Sequence, residues 1–82
     1  MPTEKNVIIY STPTCHFCQM SKEFFKENAI TYREFNVASD MDRRQEMVEK
    51  SGGMAVPVID IDGEIIVGFD KERLEKALDL VA

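Results

Sequence analysis

The sequence predicts an α/β domain in the order β-α-β-α-β-β-α, with a four-stranded mixed sheet that carries helices on both faces. Two features predict it. Short apolar, β-branched runs alternate with segments of helical periodicity, and the last two runs are separated only by Asp62-Gly63, a pair that favours the type I′ turn of a tight hairpin. The chain has 82 residues, room for one compact domain that hides about 60% of its unfolded surface. A single domain over residues 1–82 is therefore expected.

The elements follow in order. Lys5 to Tyr10 contains the run Val7, Ile8, Ile9, Tyr10 and reads as a central strand covered on both faces. Ser11 to Thr14, with Pro13, is a loop. Phe17, Met20 and Phe24 then recur at the spacing of one helical face, so a helix begins at the cysteines. Thr31 to Val37 reads as the second strand. Ser39-x-x-Asp42 has capping-box spacing, and a second helix runs from there to Lys50, stopped by Gly52 and Gly53. Pro57 to Ile61 and Glu64 to Val67 form the antiparallel hairpin. Leu74, Ala77, Leu78 and Val81 place a closing amphipathic helix, with Asp70 as its cap. A βαβ start makes the first two strands parallel with a right-handed crossover.

Composition narrows the function. Apolar residues make up 44% and charged residues 30%, the balance of a globular domain, and the formal charge is −5 with both signs mixed along the helices. Nucleic acid and anionic membrane are poor partners for such a surface. Glu4 and Lys5 precede an apolar run of only Val7 to Tyr10, too short for a signal-peptide core or a membrane span. A cytoplasmic chain is expected.

The chain has only two cysteines, Cys15 and Cys18. A bridge between them closes a tiny loop and restrains the unfolded chain very little, so its use as a staple is disfavoured. In a reducing compartment such a pair is catalytic or metal-binding. After a strand, at the opening of a helix and inside a βαβ unit, Cys-x-x-Cys reads as redox-active. Free N–H groups and the helix dipole favour a thiolate at Cys15, which marks it as the nucleophile. Cys18, one turn further in, is the resolving thiol that attacks the mixed disulfide formed by Cys15. When protonated, His16 would help hold the neighbouring thiolate; its bland reading is an exposed residue at the helix start.

Two rival readings use the same residues. A zinc or iron–sulfur site would need about four ligands. His16 is the only histidine, so carboxylates or a second chain would have to complete the set. A docking module that keeps the fold without redox turnover is the other rival. Elsewhere, Met20, Met47 and Met54 read as gap-filling core residues. Lys22 and Lys26 follow Cys18 at four-residue steps and read as a solvated, weakly basic face, the alternative being a face that steers an acidic partner.

The segment Ser11-Thr-Pro-Thr-Cys-His-Phe-Cys18, the pair Val56-Pro57 and the run Gly68-Phe69-Asp70 together resemble the glutaredoxin family, over nearly the whole chain and in the family's order and spacing. The chain is similar to small glutaredoxin-like redoxins, including those that donate electrons to ribonucleotide reductase. The resemblance implies a thioredoxin-like fold with strand order 2-1-3-4 and a dithiol–disulfide oxidoreductase that acts on protein disulfides as a monomer. It implies no tightly bound cofactor, and re-reduction by glutathione or by a thioredoxin-reductase-type flavoenzyme. It also implies that Pro57 is cis and faces the cysteines, leaving the Val56 backbone to pair with an extended substrate. Thr12, Pro13, His16, Phe17, Gly68, Phe69 and Asp70 complete the implied substrate surface, with Phe17 and Phe69 as an apolar rim or as core packing. Asp70 is a helix cap that can also receive a ligand's polar group.

Three departures weaken a glutathione site. Glutathione-using members commonly carry a lysine or arginine where this chain has Thr12, a second glycine where it has Phe69, and a threonine where it has Ala55. A cation there would pair with a glutathione carboxylate.

Overall fold

The computed structural model describes residues 6–78. Within them the strands are β1 (Val7–Ser11), β2 (Arg33–Asn36), β3 (Val58–Ile61) and β4 (Glu64–Val67), and the helices are α1 (His16–Glu27), α2 (Met41–Ser51) and α3 (Lys71–Ala77). The sheet runs β2-β1-β3-β4. β2 is parallel to β1, and β3 is antiparallel to both β1 and β4. The element order and sheet are those the sequence predicts. Asp62 and Gly63 have φ of 52° and 96°, the two positive values a type I′ turn requires. The carboxylate of Asp60 accepts the Gly63 N–H at 2.8 Å and braces that turn.

Strand alternation assigns side chains to opposite faces of the sheet. Val7, Ile9, Ile59, Ile61 and Ile66 meet Phe24 and Phe25 of α1 and Leu74 and Ala77 of α3 in one cluster. Tyr10 and Val58 meet Met47 of α2 in the other, with Ile8, Phe35 and Ile65 packed against it. Full burial of one such side chain contributes about 1.5–3 kcal/mol. A one-residue slip of β1 would exchange its two faces and misplace every one of them.

Four expectations need correction. Asp40, not Ser39, caps α2: its carboxylate accepts the Arg43 N–H at 3.1 Å, while the Ser39 hydroxyl turns back to the Asn36 carbonyl. The residue three positions after the true cap is Arg43, so no capping box forms. The buried face of α1 is Cys18, Ser21, Phe24 and Phe25, and Phe17 is 56% exposed; the face is rotated because Cys18 and Ser21 are the residues turned toward the sheet. Met47 fills the core, but Met54 lies in the loop before β3 and is exposed. β2 is shorter than Thr31 to Val37, since only Arg33–Asn36 find ladder partners on β1. Lys5 and Val81 lie outside the described residues.

The face under α2 also holds a polar network. Lys50 donates to the Asp60 carboxylate at 2.6 Å and to the Tyr10 hydroxyl at 2.8 Å, and that hydroxyl donates to Glu46. Partial burial opposes the Lys50 charge, but the bonds to Asp60 and Tyr10 outweigh it and raise the lysine above its ordinary value. The Lys50 contribution to stability is therefore complete below the unfolded value of about 10.4 and is lost as pH rises through the higher folded value. Lys50→Met should cost about 1–3 kcal/mol near pH 7, because it leaves a buried carboxylate short of a partner. Denaturant titrations from pH 7 to 11 should also show a shallower alkaline loss in the variant than in the parent.

Candidate active site

The cysteine pair stands where β1 hands over to α1. Cys15 has extended backbone angles (φ −86°, ψ 113°), which is how a residue caps a helix from outside its first turn. Its sulfur, in the place of a capping oxygen, accepts the Cys18 N–H at 3.2 Å. The Cys15 N–H donates to the Thr12 carbonyl at 3.3 Å and closes the loop behind it. Cys15 is partly exposed and Cys18 fully buried, and both are free thiols. Burial pushes the Cys18 thiol up to about 12; its bond with Cys15 adds to the rise, while the Thr12 backbone and the Lys22 charge oppose it.

The sheet register brings the remaining motifs to the same end. Tyr10 lies opposite Val58 and Val58 opposite Val67, so one further step aligns Ser11, Pro57 and Gly68. The Gly68 N–H donates to the Pro57 carbonyl at 2.7 Å. The Val56-Pro57 bond is cis and Gly68 has φ of 83°. Pro57 is buried and Val56 half-buried against the α2-side core.

Other predicted site residues separate by exposure. Pro13, His16 and Phe17 are exposed around Cys15 and Thr12 is half-buried; the His16 and Phe17 rings meet edge to face at 5.9 Å. Phe69 instead packs edge-on against Phe24 at 6.1 Å and joins the α1/α3-side core, which leaves the rim to Phe17. Asp70 caps α3 by accepting the Arg73 N–H at 3.2 Å.

Sequence reasoning missed one arrangement. Lys22 is not merely part of a solvated face: its ammonium donates to Glu34 of β2 at 2.7 Å, and the Ser11 hydroxyl donates to the same carboxylate oxygen at 2.8 Å. The Lys22 bond, set against partial burial and helped by Ser11, holds the Glu34 carboxyl below the usual range. Ser11, Thr12, Pro13, Lys22, Glu34 and Asn36 line a cleft of about 350 Å³. The one signal in the sequence was Ser11, a hydroxyl closing an otherwise apolar strand. Among the described residues no group of three or more His, Cys, Asp or Glu side chains is placed to hold a metal.

A dithiol at the head of the first helix of this fold defines the class of thiol–disulfide redoxins. The glutaredoxin family model matches residues 7–66. A glutaredoxin-like 8.6 kDa protein of the rubredoxin operon of Clostridium pasteurianum is 49% identical over 71 residues, covering 87% of this chain and 95% of that one. Glutaredoxin 3 of Escherichia coli K12 is 34% identical over 65 residues, covering 79% and 78%. The crystal structure of the thioredoxin-like protein BC3987 superposes with a TM-score of 0.84 at 34% identity, covering 89% of this chain and 100% of that one. The chain belongs to the glutaredoxin family, and its fold is thioredoxin-like. It is a thiol–disulfide oxidoreductase.

Exposure separates the two sulfurs. Iodoacetamide added to the reduced, folded protein should label Cys15 at least about tenfold faster than Cys18, a difference that peptide mass mapping after a timed quench measures and that unfolding erases.

Proposed function

We propose that the chain reduces disulfides in protein partners through Cys15 as nucleophile and Cys18 as resolving thiol. The observation that carries this reading is the pairing of a partly exposed sulfur, seated as a helix cap, with a buried thiol one turn behind it. The Cys15 thiolate attacks one sulfur of the partner's disulfide, forming a mixed disulfide and releasing the partner's other sulfur as a thiolate, which takes up a proton. Cys18 then gives up its proton and attacks the Cys15 sulfur. The partner leaves as a dithiol and the Cys15–Cys18 disulfide forms, so two electrons have passed to the partner, one of its two protons is matched by the one Cys18 gives up, and the other comes from solvent.

Val56, Pro57, Thr12, Pro13, His16 and Phe17 form the docking surface, with the Val56 backbone offered to an extended substrate segment by strand addition. Gly68 holds Pro57 in place through its hydrogen bond, and Asp70, beside it in the chain, caps α3 at the edge of this surface. No tightly bound cofactor enters the cycle. The oxidised pair is returned to the dithiol by a thioredoxin-reductase-type flavoenzyme or by glutathione. Thr12, Ala55 and Phe69 give glutathione fewer polar and charged contacts, which favours the flavoenzyme. The cytoplasm, where thiols are kept reduced, suits a monomer working in this cycle.

Cys15→Ser should abolish turnover on a protein disulfide, and Cys18→Ser should accumulate partner mixed disulfides at Cys15 that dithiothreitol releases. Normal turnover by Cys15→Ser would overturn the assignment. With insulin as substrate, the flavoenzyme and NADPH should sustain faster turnover than glutathione with its reductase; NADPH consumption gives both rates.

A further inference from the structure

We propose that Lys22 is the positioning charge for the resolving step: held at the cleft by Glu34, its ammonium favours the thiolate of Cys18 while that sulfur attacks the mixed disulfide at Cys15. The inference rests on the roles proposed above for the two cysteines. Cys18 is fully buried and must lose a proton before it can attack, so an uncompensated negative charge would arise where water is scarce. Lys22 lies four residues on, on the same side of α1, where Cβ atoms sit about 5–6 Å apart.

The side chain of Lys22 is only 26% exposed, so its field is less screened than that of a surface lysine. Two contacts in series hold it in place. Glu34 holds the ammonium at 2.7 Å, and Ser11, the last residue of β1 before the cysteine loop, anchors Glu34 at 2.8 Å. The cleft that Lys22 and Glu34 line is also lined by Thr12 and Pro13, so the ion pair lies beside the cysteine loop.

Among the described residues, three groups act on the buried sulfur. Cys18 faces Cys15 at the helix start, the Thr12 backbone from the loop and Lys22 from its own helix, and of these Cys15 opposes its ionisation while the other two favour it. Lys22 in turn faces Glu34 and Tyr32, and Glu34 also faces Lys26. Lys22 is thus the cation acting on Cys18 among these groups, and Glu34 both holds it and offsets part of its charge. That dual role gives the two residues opposite expected effects on the reaction.

Stopped-flow mixing of the pre-reduced protein with the chromogenic disulfide dithiobis-nitrobenzoate separates the steps. A first coloured thiolate appears when Cys15 attacks, at a rate proportional to reagent, and a second when Cys18 resolves the mixed disulfide, at a rate independent of it. Lys22→Met should slow the second phase about tenfold at pH 7 and move its pH midpoint up by about one unit, while Lys22→Arg restores both. Glu34→Gln breaks the same ion pair but leaves the cation, and should quicken the second phase. An unchanged second phase in Lys22→Met, or equal slowing in Lys22→Met and Glu34→Gln, would overturn the proposal, the latter by showing that only the ion pair's structural role matters. A parent protein that lacks a reagent-independent second phase would instead overturn the cysteine roles.

Discussion

The seat of Cys15 at the head of α1 is the constraint on which the other features turn. One hydrogen bond, from the Cys18 N–H to the Cys15 sulfur, ties the partly exposed cysteine to the helix that buries its partner. Because β1 is an inner strand, flanked by β2 and β3, the loop that ends on Cys15 leaves the middle of the sheet and not its margin. The cis Val56-Pro57 segment and Gly68 reach that same end by strand register alone.

Each face of the sheet then combines apolar packing with one polar anchor. Beneath α2 the anchor is Lys50 with Asp60 and Tyr10; on the α1 side it is Lys22 with Glu34 and Ser11. In both cases a lysine on a helix reaches a carboxylate on a strand, and a β1 hydroxyl joins the cluster, accepting from Lys50 in the first and donating to Glu34 in the second. Tyr10 and Ser11 are successive residues, so the alternation of the strand sends one to each anchor. The end of β1 thereby joins both anchors, and the cysteine loop starts from a point bonded on both faces of the sheet.

Much of this was legible in the residues. The alternation of β-branched runs with helical periods, the Asp62-Gly63 turn and the Asp70 cap act within a few residues of chain, and local forces of that kind can be read along the sequence. The placing of Cys-x-x-Cys at the junction of a strand and a helix was legible for the same reason. Local signals also misled. Ser39 and Asp40 are both good caps, and their choice depends on where the chain leaves β2, with Asn36 occupying the Ser39 hydroxyl. Phe17 and Met54 are apolar by composition, yet one sits on the solvent side of α1's first turn and the other in the loop ahead of the cis bond.

By itself the sequence determined the order of elements, the parallel start and the tight hairpin, because these depend on backbone preferences and spacings over short stretches. Tertiary structure decided which face of α1 is buried, that Phe69 packs inward against Phe24, and that Lys22 meets Glu34 twelve residues away. Contacts between elements depend on how the elements are rotated and aligned against one another, and that alignment exists only once the sheet has assembled and its two faces are covered.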